Sequence, residues 1–194
     1  MSGHGTKTEK FQVGMATLVY AVGLVISVAW MWFRGDPWQR WGGGDVSLLL
    51  SSCIGTGIGL VVVLLGRLLV LFSWARALEA EFADLIGPLR VKQIIWLAIV
   101  SSVAEEAFFR GAVQPTLGLM MTSILFGLLH FGPRVVFIPW TMMALGMGFV
   151  LGFLADWSGG LLASVSCHFT INAINLWFIS IRAHRKKVSS LHIT

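Results

Sequence analysis

Charged residues are scarce in this chain of 194 residues: Lys, Arg, Asp and Glu make up 12% of it, whereas hydrophobic residues make up 56%. A soluble domain of average composition carries about 25% charged residues. Half of the usual solubilising surface is therefore missing. This deficit, together with a mean hydropathy of +0.81, excludes an ordinary soluble domain and places the chain among membrane proteins.

Cysteine is also rare, and no metal or redox motif surrounds Cys53 or Cys167, so both are interpreted as small buried side chains. The chain shows no sequence repeats and no low-complexity tract. A cleavable signal peptide is not expected, because the first apolar run, 11–33, exceeds a signal's apolar core of about 7–15 residues.

The net charge of +5 could suggest nucleic-acid binding, but the basic residues lie in short loops and tails between apolar runs. That distribution is typical of a membrane protein oriented by the positive-inside rule, and no nucleic-acid partner is expected. With the N-terminus inside, the outer side holds only Arg34, Arg40 and at most Arg110. We therefore expect a multi-pass protein of a cell membrane, of the prokaryotic type, with both termini in the cytoplasm.

Six apolar segments predict an all-α, polytopic membrane helical bundle of about six transmembrane segments. The fourth is about 13 residues long and covers only about 20 Å, so it is expected to stop inside the protein, broken by Gly132 and Pro133. Residues 74–92 predict an interfacial amphipathic helix that ends at Gly87 and Pro88. The apolar segments are 11–33, 46–72, 94–112, 119–131, 135–155 and 160–181.

The domain organisation follows from these segments. A single membrane-embedded domain is expected over residues 11–181, flanked by a mobile N-terminal tail, 1–10, and a mobile basic C-terminal tail, 182–194.

The third segment carries charges that are costly inside a bilayer and usually face a functional interior. Glu106 and Arg110 are four residues apart with the acid first, which favours an ion pair along the helix. Glu105 points about 100° away from Glu106 and has no partner on its own helix. Such a carboxylate suits general acid/base chemistry; alternatively, both acids pair with basic groups between helices.

Three further polar residues lie in later segments. His130 ends the short fourth segment, and His168 and Asn172 share one face of the sixth because they are four residues apart. Each alone is more typical of a structural hydrogen bond between helices. Counted along the helices, however, these residues and Glu105 lie about 12–18 Å from the inner face of the bilayer, which predicts that they converge.

A carboxylate, two imidazoles and a carboxamide indicate an activated water rather than a covalent enzyme. Serines in the same segments are interpreted as small helix-packing residues. These serines are Ser101, Ser102, Ser164 and Ser166.

The motifs resemble a known family. Glu-Glu-x-x-x-Arg at 105–110, Phe-x-x-x-His at 126–130 and His-x-x-x-Asn at 168–172 occur in the order found in the CPBP family, the CAAX-protease and bacteriocin-processing group also called Abi. The similarity runs from about residue 93 to residue 177, and Phe109-Arg110-Gly111 with Gln114-Pro115 also looks like the family.

The resemblance implies a glutamate-dependent intramembrane peptidase without metal or cofactor. Glu105 matches the family's water-activating base and His130 its partner in holding and protonating. His168 and Asn172 match the pair that stabilises the oxyanion, and Glu106 and Arg110 match supporting residues. The implied partners are a membrane-associated protein or peptide substrate and the lipid bilayer, and a prenylated substrate is not assumed.

Two alternatives stay open. One is a zinc metallopeptidase with Glu105, His130 and His168 as ligands, although the chain lacks His-Glu-x-x-His. The other is a catalytically silent binding or immunity protein, or a small transporter, in which the polar cluster binds a ligand or holds helices together. A transporter would more often show paired repeats.

Overall fold

The computed structural model describes residues 7–36, 41 and 44–191, and all regular structure within them is helical. This confirms the predicted all-α membrane bundle. A π-helical segment, Ala107–Val113, separates α4 from α5, and a single 3-10 turn, Val135–Phe137, precedes α6. The α-helices are α1 (Lys7–Arg34), α2 (Leu48–Leu69), α3 (Ser73–Ile86), α4 (Val91–Glu106), α5 (Gln114–Leu129), α6 (Ile138–Ser158) and α7 (Leu162–Leu191).

Five helical stretches in the described part of the chain are long and apolar enough to cross a membrane, and the protein is an integral membrane protein. They correspond to the six predicted segments because the third and fourth belong to one stretch. The basic tail predicted after residue 181 is helical as far as Leu191, and residues 1–6 and 192–194 lie outside the described residues. The stretches are Val13–Arg34, Leu48–Leu69, Val91–Leu129, Val135–Ser158 and Leu162–Ser189.

The stretch Val91–Leu129 is interrupted at Gly118, whose φ of 76° and ψ of 168° are not helical. A straight helix of 39 residues would measure about 58 Å, far more than the roughly 30 Å of bilayer hydrocarbon. Instead, the chain folds back at Gly118, a backbone conformation that favours glycine. The segment from Glu105 to Gly118 and the segment from Gly118 to His130 are similar in length. The reversal at Gly118 therefore returns His130 to the level of Glu105.

Arg34, at the C-terminal end of α1, stabilises the π-helical segment. Its guanidinium donates hydrogen bonds of 2.7 Å to the carbonyl oxygens of both Gly111 and Ala112. The Gly111 carbonyl would ordinarily accept from residue 115, but Pro115 has no N–H. Asp36 holds the guanidinium in place through two further hydrogen bonds of 2.9 and 2.8 Å. Arg34 therefore supplies the Gly111 carbonyl with the donor that the helix cannot.

Helix α3 connects α2 to α4 at one end of the bundle. It ends where predicted, because Gly87 adopts a φ of 71° and Pro88 follows it. The acidic residues of α3 pair with basic residues of neighbouring elements, which holds the long helices together at this end. The pairs are Glu79 with Arg67 and Arg182, Glu81 with Arg134, and Asp84 with Lys186.

Helix α7 is the central helix, and α2, α3, α4 and α6 all pack against it. Gly55 and Gly59 of α2 let that helix approach the α7 backbone closely, because a Cβ at Gly55 would lie 2.1 Å from the Ala163 carbonyl oxygen. Gly148 has the same effect between α6 and α5, where a Cβ would meet the backbone of Ser123 at 2.8 Å. Helix α1 packs instead on α4 and the π-helical segment.

Candidate active site

Glu106, Arg110 and His168 form a buried charged network between α4, the π-helical segment and α7. The side chains of Glu106 and Arg110 are both 0% exposed, and Arg110 Nη1 donates to Glu106 Oε1 at 3.1 Å. This confirms the ion pair predicted from the spacing of four residues. The second terminal nitrogen of Arg110 donates to the Gly148 carbonyl at 3.1 Å, and its guanidinium lies 4.5 Å from the centre of the Phe126 ring.

His168 is held by the same carboxylate. Its Nδ1 lies 2.8 Å from Glu106 Oε1, so the ring donates Nδ1–H to an acid that Arg110 already neutralises. The opposite ring nitrogen, Nε2, therefore faces Glu105, at 3.9 Å from its Oε2. Sequence reasoning placed His168 in the site but did not foresee that Glu106 would orient it.

Glu105 faces a different environment from its neighbour. Its side chain is 17% exposed, and its Oε2 lies 3.7 Å from His130 Nε2 as well as 3.9 Å from His168 Nε2. That oxygen is buried and accepts no hydrogen bond from the residues that the structure describes. Both distances exceed a direct hydrogen bond. A water molecule can lie beside the line between Oε2 and either nitrogen and bond to both, at about 2.8 Å from each.

The hydrogen bond at Nδ1 fixes the tautomer of His130. This nitrogen lies 2.7 Å from the Phe126 carbonyl, which can only accept, so the ring carries its proton there. In the neutral ring, Nε2 is then an acceptor toward Glu105, and it becomes a donor only when the ring is protonated. The Phe126 ring stacks 4.3 Å from the imidazole and the Trp140 ring lies 5.1 Å away, which limits its rotation.

Asn172 lies one helical turn beyond His168 and faces the same cavity. Its Nδ2 donates to Ser101 Oγ at 2.9 Å. Ser101, interpreted from the sequence as a packing residue, thus contacts a predicted site residue. It lies one turn before Glu105 on α4, so both side chains line the cavity.

A cavity of about 620 Å³ joins these groups. Its polar groups include the four residues predicted to converge, and most of its remaining wall is apolar and comes from α1, α2, α3, α6 and α7. The predicted site residues on this cavity are Glu105, His130, His168 and Asn172.

Tyr20 was missed by sequence reasoning. It lies on α1 and lines the same cavity as Glu105. It is the only tyrosine of the chain. A tyrosine near the middle of an apolar span, rather than at an interface, was the available signal.

Among the described residues, no three His, Cys, Asp or Glu side chains are arranged to hold a metal ion. The arrangement instead presents one carboxylate oxygen to two ring nitrogens, with a carboxamide nearby. These are groups that move protons and stabilise developing charge.

Part of the chain is similar in sequence to known proteins. Residues 87–174 match the family described as type II CAAX prenyl endopeptidase Rce1-like. Uncharacterized protein YpbD of Bacillus subtilis (strain 168) is 33% identical over 84 residues, which cover 43% of this chain and 44% of that protein. No solved structure matches. The resemblance to the CAAX-protease family is therefore confirmed for the segment that carries every predicted site residue.

Proposed function

We propose that the protein is an intramembrane endopeptidase that hydrolyses a peptide bond of a membrane-associated protein or peptide with a water activated by Glu105. The observation that carries this proposal is the Glu105 Oε2 atom, which is buried, lacks a hydrogen bond from any described residue and faces two imidazole nitrogens. The Rce1-like family match supports the protease class.

In the first step, Glu105 removes a proton from the water, and the oxygen of that water forms a bond to the carbonyl carbon of the substrate. His130 Nε2 holds the same water, since it lies 3.7 Å from Glu105 Oε2. The carbonyl oxygen becomes negatively charged. The proton rests on Glu105 until it is needed by the leaving group.

His168 and Asn172 stabilise the oxyanion. His168 donates a hydrogen bond from its Nδ1–H to Glu106. Its Nε2 can therefore donate to the oxyanion only when both ring nitrogens carry a proton. When the C–N bond breaks, the leaving nitrogen takes the proton that Glu105 removed from water, directly or through His130. The other product leaves as a carboxylic acid, which then loses its proton to the released amine or to water.

The packing of the helices supports access from the bilayer. Helix α1 packs on α4, and α2 packs on α7, while both contribute wall residues to the cavity that holds Glu105. An apolar chain or a membrane-embedded peptide can therefore reach the carboxylate between them. The family description names CAAX prenyl endopeptidases, which makes the C-terminal region of a prenylated protein one substrate to test. We further propose that both termini face the cytoplasm of a prokaryotic cell.

Two peptides test the proposal: an internally quenched peptide ending in a farnesylated CAAX sequence, and the same peptide without the farnesyl group. Purified protein in proteoliposomes is expected to cleave at least one, and Glu105→Gln is expected to abolish turnover while the protein stays folded. Glu81→Gln is the matched control, because Glu81 lies on α3 and forms a partly exposed ion pair with Arg134. Comparing membrane-protein termini in cells carrying wild type or Glu105→Ala identifies the natural substrate.

A folded Glu105→Gln protein with full cleavage activity would refute the proposal. Biological function that persists in Glu105→Gln without any cleavage would instead favour the silent binding or immunity protein.

A further inference from the structure

Two polar contacts connect α4 and α7, one helical turn apart. Glu105 and Glu106 of α4 face His168 of α7, and one turn toward the inner side Ser101 contacts Asn172. Because α4 and α7 pack against each other, the second contact occupies the same helix–helix boundary as the first. Ser101 is buried and lines the cavity.

The hydrogen bonds of Ser101 determine which end of the Asn172 carboxamide it can hold. Ser101 Oγ lies 3.3 Å from the Ala98 carbonyl oxygen, which accepts only, so the hydroxyl proton is directed there. The hydroxyl oxygen then offers only its lone pairs to α7. Asn172 can satisfy them only with its amide nitrogen, as the 2.9 Å contact from Nδ2 to Oγ shows.

We propose that Ser101 is a positioning residue that holds the Asn172 amide nitrogen at the cavity, so that its second N–H can donate to the oxyanion. This inference rests on the proposed function. Without the Ser101 acceptor, the carboxamide can turn over and present its oxygen, which would repel an oxyanion. Ser101 itself takes no part in bond making.

A double-mutant cycle on cleavage of the quenched CAAX peptide tests this role. Ser101→Ala is expected to lower kcat about tenfold with KM unchanged, a fraction of the 10²–10³-fold loss caused by removing an oxyanion donor completely. In the Asn172→Ala background the same substitution is expected to cost nothing further, because the residue that it positions is gone. Independent, additive losses would overturn the proposal, as would a wild-type kcat in Ser101→Ala.

Ser102→Ala is the matched control. Ser102 is the next residue, is also buried, and donates to the same Ala98 carbonyl at 2.7 Å. It does not line the cavity. Its substitution removes an equivalent hydroxyl from α4 and is expected to leave kcat unchanged. A loss of kcat in Ser102→Ala equal to that in Ser101→Ala would assign the effect to helix packing and overturn the proposal.

A spectroscopic measurement separates failure of this inference from failure of the proposed function. The chain has two asparagines, Asn172 and Asn175, so protein labelled with ¹⁵N-asparagine gives two side-chain amide pairs, assigned with Asn172→Ala. Ser101→Ala is expected to shift the Asn172 pair, and Ser102→Ala is expected to leave it in place. An unmoved pair in Ser101→Ala would overturn the contact whether or not the protein cleaves any peptide.

Discussion

Glu106→Gln exchanges one carboxylate oxygen for an amide group and removes the negative charge from the buried network of α4 and α7. In the wild type, Glu106 Oε1 accepts from Arg110 Nη1 at 3.1 Å and from His168 Nδ1 at 2.8 Å. The glutamine oxygen can still accept these hydrogen bonds. The Arg110 charge, however, would lose its buried anionic partner and would keep only neutral ones, such as the Gly148 carbonyl and the Phe126 ring.

The expected loss of stability in Glu106→Gln follows from the loss of the buried charge pairing with Arg110. Removing one partner of a fully buried ion pair costs about 3–5 kcal/mol. The lower end applies because glutamine keeps the shape and one acceptor, so Glu106→Gln is expected to lose about 3 kcal/mol. For a chain of this size, each kcal/mol lowers Tm by about 2–4 °C. The fall in Tm is therefore expected to be about 6–12 °C.

Thermal unfolding in detergent, followed by circular dichroism, measures this shift. Glu81→Gln is the control: its carboxylate pairs with an arginine that is 58% exposed, so it is expected to lose at most about 1 kcal/mol. Adding Arg110→Met to Glu106→Gln is expected to recover part of the stability, because it removes the unpaired buried charge. A Tm of Glu106→Gln within about 2 °C of wild type would refute the reasoning.

Further substitutions separate the other roles. Asn172→Ala is expected to lower turnover about 10²–10³-fold with little change in Tm, and equal losses of activity and folded protein would contradict this. Tyr20→Phe is expected to lower turnover about tenfold, since the cavity that holds Glu105 loses a hydroxyl, while Thr17→Val one turn earlier on α1 changes nothing; equal effects would contradict the assignment. Arg34→Met is expected to lower Tm by several degrees, because the Gly111 carbonyl loses its donor and the Ala112 carbonyl loses one of two; an unchanged Tm would argue against it. Turnover is expected to survive exhaustive chelation, and loss that zinc reverses would favour the metallopeptidase.

Much of the site could be predicted because it depends on spacing within single helices. Glu106 and Arg110 are four residues apart, and that separation alone predicts the ion pair that the structure contains. The common depth of Glu105, His130 and His168 followed from helix rise and from a short fourth segment, and the structure brings the three together. Their catalytic roles remain proposals.

The path of the chain between Arg110 and His130 was harder to predict. The sequence indicated a short segment broken after His130, but the chain reverses at Gly118, and the helix widens before it over Ala107–Val113. A π-helical turn shifts the hydrophobic period only slightly over seven residues, so periodicity does not reveal it. Arg34, which supplies the missing donors, is 76 residues away from Arg110 in the sequence.

The contacts that support the site were not predictable, because they depend on how one helix is aligned against another. Ser101 matters only because α7 runs antiparallel to α4 with Asn172 opposite it, and Tyr20 only because α1 packs on α4. Small residues at such boundaries are usually interpreted as packing. In this bundle, however, the hydroxyl of Ser101 also accepts a hydrogen bond from the Asn172 amide nitrogen, and we propose that it thereby orients that carboxamide. Close helix packing and orientation of the polar groups are therefore two effects of the same residues.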